Sequence, residues 1–283
     1  MIPRVFAIDV GGTKVDCAWV LPDGTTEILG RIGTVAAGEH LFDAIVNVAT
    51  SASWRNDDLI GVGCGGPMTM GGARVSPLNI PAWRSFALRD ELVRVLGRPV
   101  AIDNDAKALA LAEGRFGSAR HMSSYVAMVV STGVGGGIVL NGQLLDGRDG
   151  NAGHIGHIVV NPGGELCACG VRGCLEAEAS GSGIARRSGF PATEANSEVR
   201  RRTGLMVGRA VAATASLLDV TDFFVAGSVA LGFGEPFFTA ANEEAHRLVG
   251  LDFARSVTIA PSGLSERGPI LGAACVAWRS LGT

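Results

Sequence analysis

The sequence predicts an α/β protein made of two duplicated domains that face one another across a cleft. Three observations carry that expectation. Short apolar strands alternate with segments whose apolar residues repeat at the helical period. Each half opens on the same strand, glycine turn and strand. A chain of 283 residues, 47% hydrophobic and 18% charged, can also bury two modest cores.

Val5 to Asp9 reads as a buried strand, Gly11-Gly12-Thr13 as a tight turn, Val15 to Leu21 as a returning strand and Pro22-Asp23-Gly24 as the next turn. This opening is a meander and not a βαβ crossover. A third strand, Thr26 to Ile32, leads to a helix with apolar positions Leu41, Ile45, Val48 and Ala52, and Leu59 to Val62 is the fourth strand. A second amphipathic helix carries Leu88, Leu92, Val95 and Leu96, stops at Gly97 and feeds through Pro99 into the strand Val100-Ala-Ile102. After an alanine-rich helix from Ala106 to about Phe116 the pattern returns, as strand Tyr125 to Val130, glycine-rich turn Ser131 to Gly137 and strand Ile138 to Leu140. Helices at Leu205 to Leu218 and Pro236 to Leu248, strands at Phe223 to Ala226 and Val257 to Ala260, and a closing helix Leu271 to Trp278 complete the chain.

The net charge of −3 supplies no basic footprint, so a nucleic-acid partner is not expected. The N-terminal segment reaches Asp9 before any signal-length apolar run develops, and no segment approaches 18 consecutive apolar residues. A cytoplasmic protein without a membrane partner is the expectation. Cys17, Cys64 and Cys275 sit in apolar surroundings and read as small core residues. The other three cysteines are different. Cys167, Cys169 and Cys174 fall within eight positions, ten residues after His157. Three thiolates and an imidazole so spaced can close a tetrahedral Zn²⁺ shell, and Gly170 and Gly173 let the backbone turn tightly enough for the sulfurs to converge. The alternative, a disulfide, would leave one of the three unpaired.

Five motifs in order, Asp9-Val-Gly-Gly-Thr-Lys14, Asp103-Asn104-Asp105-Ala106, Ser131-Thr-Gly-Val-Gly-Gly-Gly137, Gly153-His154-Ile-Gly156-His157 and the cysteine segment with Glu176, resemble the ROK family of sugar kinases along essentially the whole chain. The resemblance implies two ribonuclease-H-like domains of the actin and hexokinase type. Residues 1–105 joined by the closing helix 268–283 would form one, and residues 106–267, with the zinc segment, the other. It implies ATP as phosphoryl donor, Mg²⁺, a structural Zn²⁺, a small-molecule sugar as substrate and a homodimer.

The glycine turns suit phosphate oxygens, because backbone without side chains brings several N–H groups close and Thr13 or Thr132 adds a hydroxyl. Gly11, Gly12, Thr13 and Lys14 in the first turn, Thr132, Gly133, Gly135 and Gly136 in the second, and Gly227 with Ser228 are the candidate nucleotide contacts. Neither turn has the P-loop spacing, and ordinary hairpin turns are the bland alternative. Asp9 suits Mg²⁺, directly or through water. Asp105 is the candidate base, which would accept the proton of the attacking hydroxyl; as the residue before an alanine-rich helix it could also be a cap. By resemblance Asn104, Gly65, Gly66, Asn79, Glu176 and His157 contact the sugar, with one ring nitrogen of His157 on zinc and the other toward substrate.

One position departs from the pattern. ROK glucokinases read Glu-x-Gly-His where this chain reads His154-Ile-Gly156-His157, and bacterial N-acetylmannosamine kinases resemble it there, in the second glycine turn and around Ala226-Gly227-Ser228-Val229. A histidine lacks the paired acceptors with which a carboxylate grips adjacent hydroxyls, so specificity near C1 and C2 should differ from a glucose site. N-acetylmannosamine is therefore the expected substrate, with phosphorylation at the 6-hydroxyl. Glucose, an aminosugar of the kanosamine kind and a cyclitol are alternatives; His154 could instead stand behind the contact residues. ROK repressors carry a winged helix ahead of the first phosphate turn, and the eight residues before Asp9 leave no room for one. A sugar sensor without catalysis remains the alternative of a different class, with Asp105 and both turns against it.

Overall fold

The computed structural model describes residues 2–77 and 79–282, so Leu78, beside the candidate Asn79, lies outside the described residues. The elements begin with β1 (Val5–Val10), β2 (Lys14–Val20), β3 (Thr26–Gly33), α1 (Thr34–Ala37), α2 (Leu41–Ser51), β4 (Leu59–Cys64), α3 (Leu88–Leu96), β5 (Val100–Asn104) and α4 (Asp105–Phe116). They continue with β6 (Tyr125–Val130), β7 (Val134–Leu140), β8 (Gln143–Leu144), α5 (Leu175–Ala179), α6 (Gly181–Ser188), α7 (Ser197–Leu218), β9 (Asp222–Ala226), α8 (Ser228–Phe233), α9 (Glu235–Leu248), β10 (Thr258–Pro261) and α10 (Gly268–Arg279). Among the described residues no helix is long and apolar enough to cross a membrane.

Residues Met1–Phe116, Asp146–Ala152 and Glu266–Thr283 form one compact unit; Gly117–Leu145 and Gly153–Ser265 form the other. Helix α4 thus groups with the first unit, where the sequence suggested a boundary at 105/106, because its small residues pack on α10. A Cβ on Gly272 would stand 2.7 Å from the backbone of Ala108. The first sheet has the order β3-β2-β1-β4-β5, antiparallel on the β3 side and parallel from β1 to β5. Its central strand Val-Phe-Ala-Ile-Asp-Val is buried throughout, as a strand covered on both faces requires. Helix α10 lies so close to the sheet that a Cβ on Gly61 would meet the Ala273 carbonyl at 2.1 Å. Register aligns Asp16, Asp9, Gly63 and Asp103 as one row across β2, β1, β4 and β5. The row crosses the carboxyl ends of the parallel strands, where open α/β sheets bind ligands.

In the second unit the order β10-β9-β6-β7-β8 repeats that topology: three antiparallel strands, then two parallel ones. The duplication expected from the strand and glycine pattern is therefore present in the sheets. Its core gathers Val126, Met128, Val207, Val211, Phe223 and Phe237. Two differences from the sequence expectation have local causes. Helix α7 starts at Ser197 and not near Leu205, because Asn196 Oδ1 caps it by accepting from the Val199 amide at 3.0 Å. Gly135, Gly136 and Gly137 belong to β7 and not to a turn, pairing with Val129, Met128 and Ala127.

Candidate active site

In the first unit the β1–β2 turn is closed by the Gly11 amide donating to the Lys14 carbonyl at 3.0 Å. Thr34 anchors the turn from outside, its hydroxyl donating to Gly11 O at 2.9 Å and its amide to Thr13 O at 3.0 Å. A Cβ on Gly12 would stand 2.7 Å from Asn79 Nδ2, so the structure sets a candidate sugar contact against a candidate phosphate turn. Thr13 is exposed. The Lys14 ammonium is instead engaged by Asp16 at 2.8 Å, with Arg31 on the other carboxylate oxygen at 2.6 Å. Of this turn's candidates, Lys14 is thereby turned along β2.

Asp9 ends the buried run of β1 and is only 8% exposed. Burial pushes its carboxyl up to about 7, the negative charges of Asp105 and Asp16 push the same way, and Lys14 partly offsets them. Gly63 explains how the carboxylates come together: a Cβ there would lie 3.8 Å from both Asp9 Oδ1 and the Asp105 Cα. Gly65 lies beside Asp105 as well, since its Cβ would sit 4.0 Å from Asp105 Oδ2. Two carboxylates so placed, one buried and held up by its neighbour's charge, suit a divalent cation, which would relieve their repulsion.

The capping alternative for Asp105 resolves at the preceding residue. Asn104 Oδ1 accepts from the amides of Ala106 at 3.0 Å and Lys107 at 3.4 Å, so Asn104 is the cap of α4. Its Nδ2 makes no hydrogen bond among the described residues, which leaves the amide N–H groups as what Asn104 can offer a sugar hydroxyl. Asp105 occupies the first helical position, with Oδ1 accepting from the Ala106 amide at 2.8 Å. Gly63, Thr34 and Asp16 were missed by sequence reasoning; only strand register reveals the first and third, while Thr34 is found through its contact with the turn.

In the second unit the turn Ser131-Thr132-Gly133 closes by the Ser131 amide donating to Gly133 O at 2.9 Å. Thr132 is exposed, its carbonyl accepting from the Ser182 amide at 3.3 Å. Gly227 and Ser228 join this turn: the Ser131 and Ser228 hydroxyls are 3.0 Å apart, and Gly227 adopts φ 101°, a conformation open to glycine. Gly136 does not join it. Its amide donates to Gly153 O at 2.9 Å, so Gly136 serves close packing of the 153–157 segment, and Gly135 lies with it in β7 rather than in the turn. Glu176, in the first turn of α5, accepts from the Val134 amide at 3.1 Å through Oε2. That oxygen is also 2.9 Å from where a Cβ of Gly133 would be, so the candidate sugar carboxylate abuts the second glycine turn.

His157, Cys167, Cys169 and Cys174 place one ligand atom each within 4.8 Å of one another. Cys169 and Cys174 sulfurs are 3.6 Å apart, and Cys167 Sγ is 3.7 Å from His157 Nδ1. A zinc–sulfur bond of about 2.3 Å implies tetrahedral edges of about 3.8 Å, so the donor set and its spacing fit Zn²⁺. All three cysteines are free thiols, against the disulfide alternative. Nδ1 is the nitrogen that faces the thiols, which leaves Nε2 for a hydrogen-bonding partner. The His154 ring lies parallel to that of His157, at 19° and 6.1 Å between centroids, so the substituted position shares the orientation of a candidate ligand.

The family model for ROK proteins matches residues 5–280. The chain is 37% identical over 197 residues to a glucokinase of Thermotoga maritima, a match covering 66% of this chain and 61% of that enzyme's own length. It is 36% identical over 253 residues to an N-acetylmannosamine kinase of Vibrio cholerae, covering 82% of this chain and 86% of the relative. The solved structure of a ROK family glucokinase from Streptomyces griseus in complex with glucose and AMPPNP superposes with a TM-score of 0.84 at 29% identity, over 98% of this chain and 99% of that one. With the family model spanning nearly every residue and the duplicated sheets of a hexokinase-like fold, this chain belongs to the ROK family.

Proposed function

We propose that the chain transfers the γ-phosphoryl group of ATP to the 6-hydroxyl of a hexose, with N-acetylmannosamine as the best-fitting acceptor and Asp105 as general base. An ATP-dependent sugar kinase is the activity common to the named relatives, one of which was solved with glucose and an ATP analogue. The observation that carries the mechanism is the pairing of Asp105 with Asp9 at the strand ends, against Gly63 and Gly65.

In this mechanism Asp105 takes the proton of the 6-hydroxyl as that oxygen bonds to the γ-phosphorus and the bond to the β-phosphate bridging oxygen breaks. A loose phosphoryl-transfer transition state asks the protein mainly for position and charge. Gly11, Gly12, Thr13, Thr132, Gly133, Gly227 and Ser228 offer N–H and hydroxyl donors to phosphates. Asp9 would hold Mg²⁺, directly or through water, and the ion would supply charge neutralisation at those oxygens. Asn104, Asn79, the Gly65-Gly66 backbone, Glu176 and His157 orient the sugar. His157, with Nδ1 toward the thiols, would have its tautomer and aim set by a structural Zn²⁺.

The presence of His154 in place of the family's glutamate favours N-acetylmannosamine over glucose in this reading, since a histidine lacks the paired acceptors with which a carboxylate grips adjacent hydroxyls. Glucose is the second reading, favoured by the likeness to the Thermotoga and Streptomyces enzymes. A cytoplasmic homodimer completes the proposal; the free thiols suit a reducing compartment. The test is coupled ADP release across glucose, N-acetylmannosamine, N-acetylglucosamine, 3-amino-3-deoxyglucose and a cyclitol, with Asp105→Asn as control. The variant should bind sugar normally and lose roughly 10² to 10⁴-fold in kcat. Turnover within a few fold of the parent would remove Asp105 as base, and no ADP release with any sugar would favour a sensor.

A further inference from the structure

We propose that Lys107 is a positioning residue for Asp105: its buried ammonium, gripped by Asp103 and Asp146, fixes the turn that carries the base. The inference rests on the reading of Asp105 as base. It begins from a side chain that sequence motifs do not single out. Lys107 lies in the first turn of α4 and is 2% exposed, which an ammonium tolerates only when its donors are satisfied. Nζ has Asp103 Oδ1 at 2.8 Å, Asp146 Oδ1 at 2.8 Å and the Gly150 carbonyl at 3.3 Å. An ammonium has three donors, and these three acceptors match them, so Lys107 has nothing left to offer a phosphate. Its charge acts inside the fold.

What it acts on is the turn. Asp103 Oδ1 accepts from the Asn104 amide at 2.8 Å as well, so the carboxylate that grips Lys107 also holds the peptide one residue ahead of the base. From the other side, the backbone amide of Lys107 donates to Asn104 Oδ1. Asp105 is thus bracketed by a loop of contacts through residues 103, 104 and 107. Arg279 closes the cluster, donating to Asp103 Oδ2 at 3.3 Å and to both oxygens of Asp146 at 3.1 and 2.7 Å. Each carboxylate touches both cations, and the charges balance. Arg279 first, with Lys107, holds the Asp146 carboxyl down to about 2, so this partner stays ionised at any working pH.

The cluster also explains why residues 146–152 join the first unit although the chain on either side of them does not. Asp146 is tied to Lys107 and Arg279, Gly150 to Lys107, and Asn151 exchanges hydrogen bonds with the backbone of Met68, its Nδ2 donating to Met68 O at 3.0 Å. Met68 lies two residues beyond Gly66. Lys107 therefore links the base turn to a segment that is also fastened beside the Gly65-Gly66 backbone. A base displaced by about 1 Å costs on the order of 10²-fold, so a side chain that touches neither substrate nor nucleotide can still govern turnover.

The experiment compares Lys107→Met, Asp105→Asn and the double variant in steady-state turnover of MgATP with N-acetylmannosamine, or with glucose if that sugar turns over faster. Lys107→Met should lower kcat by at least roughly 10²-fold with the sugar KM within about threefold. In the Asp105→Asn background the same change should cost less than about threefold, because no base remains to be positioned. A Lys107→Met enzyme within threefold of the parent, or one whose loss is as large without Asp105, overturns the inference; the latter would make Lys107 a general stability residue. Should the single variant fail to fold, Lys107→Gln combined with Asp103→Asn keeps the cluster neutral and should still lose at least about tenfold in kcat, parental turnover overturning the inference again. If Asp105→Asn itself retains parental turnover, the base assignment has failed; if Asp105→Asn is inactive while Lys107→Met is not, only the positioning role has.

Discussion

Replacing Asp9 by asparagine should stabilise the first unit while abolishing turnover, and the size of the gain should depend on pH in a way that the carboxylate pair dictates. The Asp9 carboxyl moves from an ordinary 3.8 to about 7, chiefly through burial and then through the charges of Asp105 and Asp16. A raised carboxyl pKa means that the folded state binds the proton more tightly. Stability is then fully present below about pH 4 and is lost as pH rises through 7, beyond which the loss is constant. With about 1.4 kcal/mol per pH unit, the raised carboxyl lowers stability, relative to its value below about pH 4, by about 4 kcal/mol at pH 8 and by about 2 kcal/mol at pH 5, where Asp9 keeps its proton in the folded state alone. Asparagine has no such term.

The advantage of Asp9→Asn over the parent should accordingly grow by about 2 to 3 kcal/mol between pH 5 and pH 8. All four tryptophans, Trp19, Trp54, Trp83 and Trp278, belong to the first unit, so urea unfolding followed by tryptophan fluorescence reports that unit. The measurement is made in Mg²⁺-free buffer, and adding Mg²⁺ at pH 8 should restore part of the deficit to the parent and none to the variant, since a cation favours the ionised pair. A stability difference that is flat between the two pH values, to within about 0.5 kcal/mol, would mean that Asp9 is not a buried carboxylate facing Asp105, and the cation assignment would fall with it.

Two further outcomes are expected. Purified protein should carry about one zinc per chain, and Cys169→Ser should lose it, as elemental analysis would show; a metal-free and fully active preparation would refute the site. His154→Glu should raise the glucose to N-acetylmannosamine ratio of kcat/KM by at least roughly tenfold with zinc retained, and an unchanged ratio in folded protein would place His154 outside the sugar contacts.

The opening strands of both units were legible because a glycine turn interrupts buried apolar runs at the same point in each half; the order of strands within each sheet and the short β8 were not, because pairing is fixed by register. Helix starts were less legible. The first turns of α7 carry Arg200-Arg201-Arg202 where an apolar stripe would be sought, and only the Asn196 cap marks the beginning. Gly135 to Gly137 read as a turn by composition, yet they form strand because the neighbouring chain at Gly153 needs to approach their backbone. Motif residues such as Asp105 and the cysteines were visible in sequence since their chemistry is local. Lys107 was not singled out in the sequence: Asp103 belongs to β5 and not to the helix, and Asp146, thirty-nine positions away, cannot be found without the fold. The same holds for Gly63, whose meaning comes from sheet register alone.

The region between β8 and α5 shows why a metal would matter to specificity rather than to the catalytic step. Apart from one short 3₁₀ turn, Ile155–His157, it contains only isolated bridges, Val159 with Cys174 and Leu166 with Arg172. Around the cysteines the buried apolar cluster is small, formed by Cys167, Cys174 and Ala177, while Val159, Leu166 and Val171 lie exposed; Ile155 and Val160 pack into the main core of the second unit. Packing on that scale holds the cysteine loop only loosely, and four metal bonds would fix it against the His157 ring. A bound metal would then help to set the aim of His157, together with the packing of its 3₁₀ turn, while Asp105 and Asp9 are held by a sheet, a capped helix and a charge cluster of their own. Loss of zinc should therefore raise the sugar KM and blur discrimination between sugars before it lowers the turnover of the sugar that still binds.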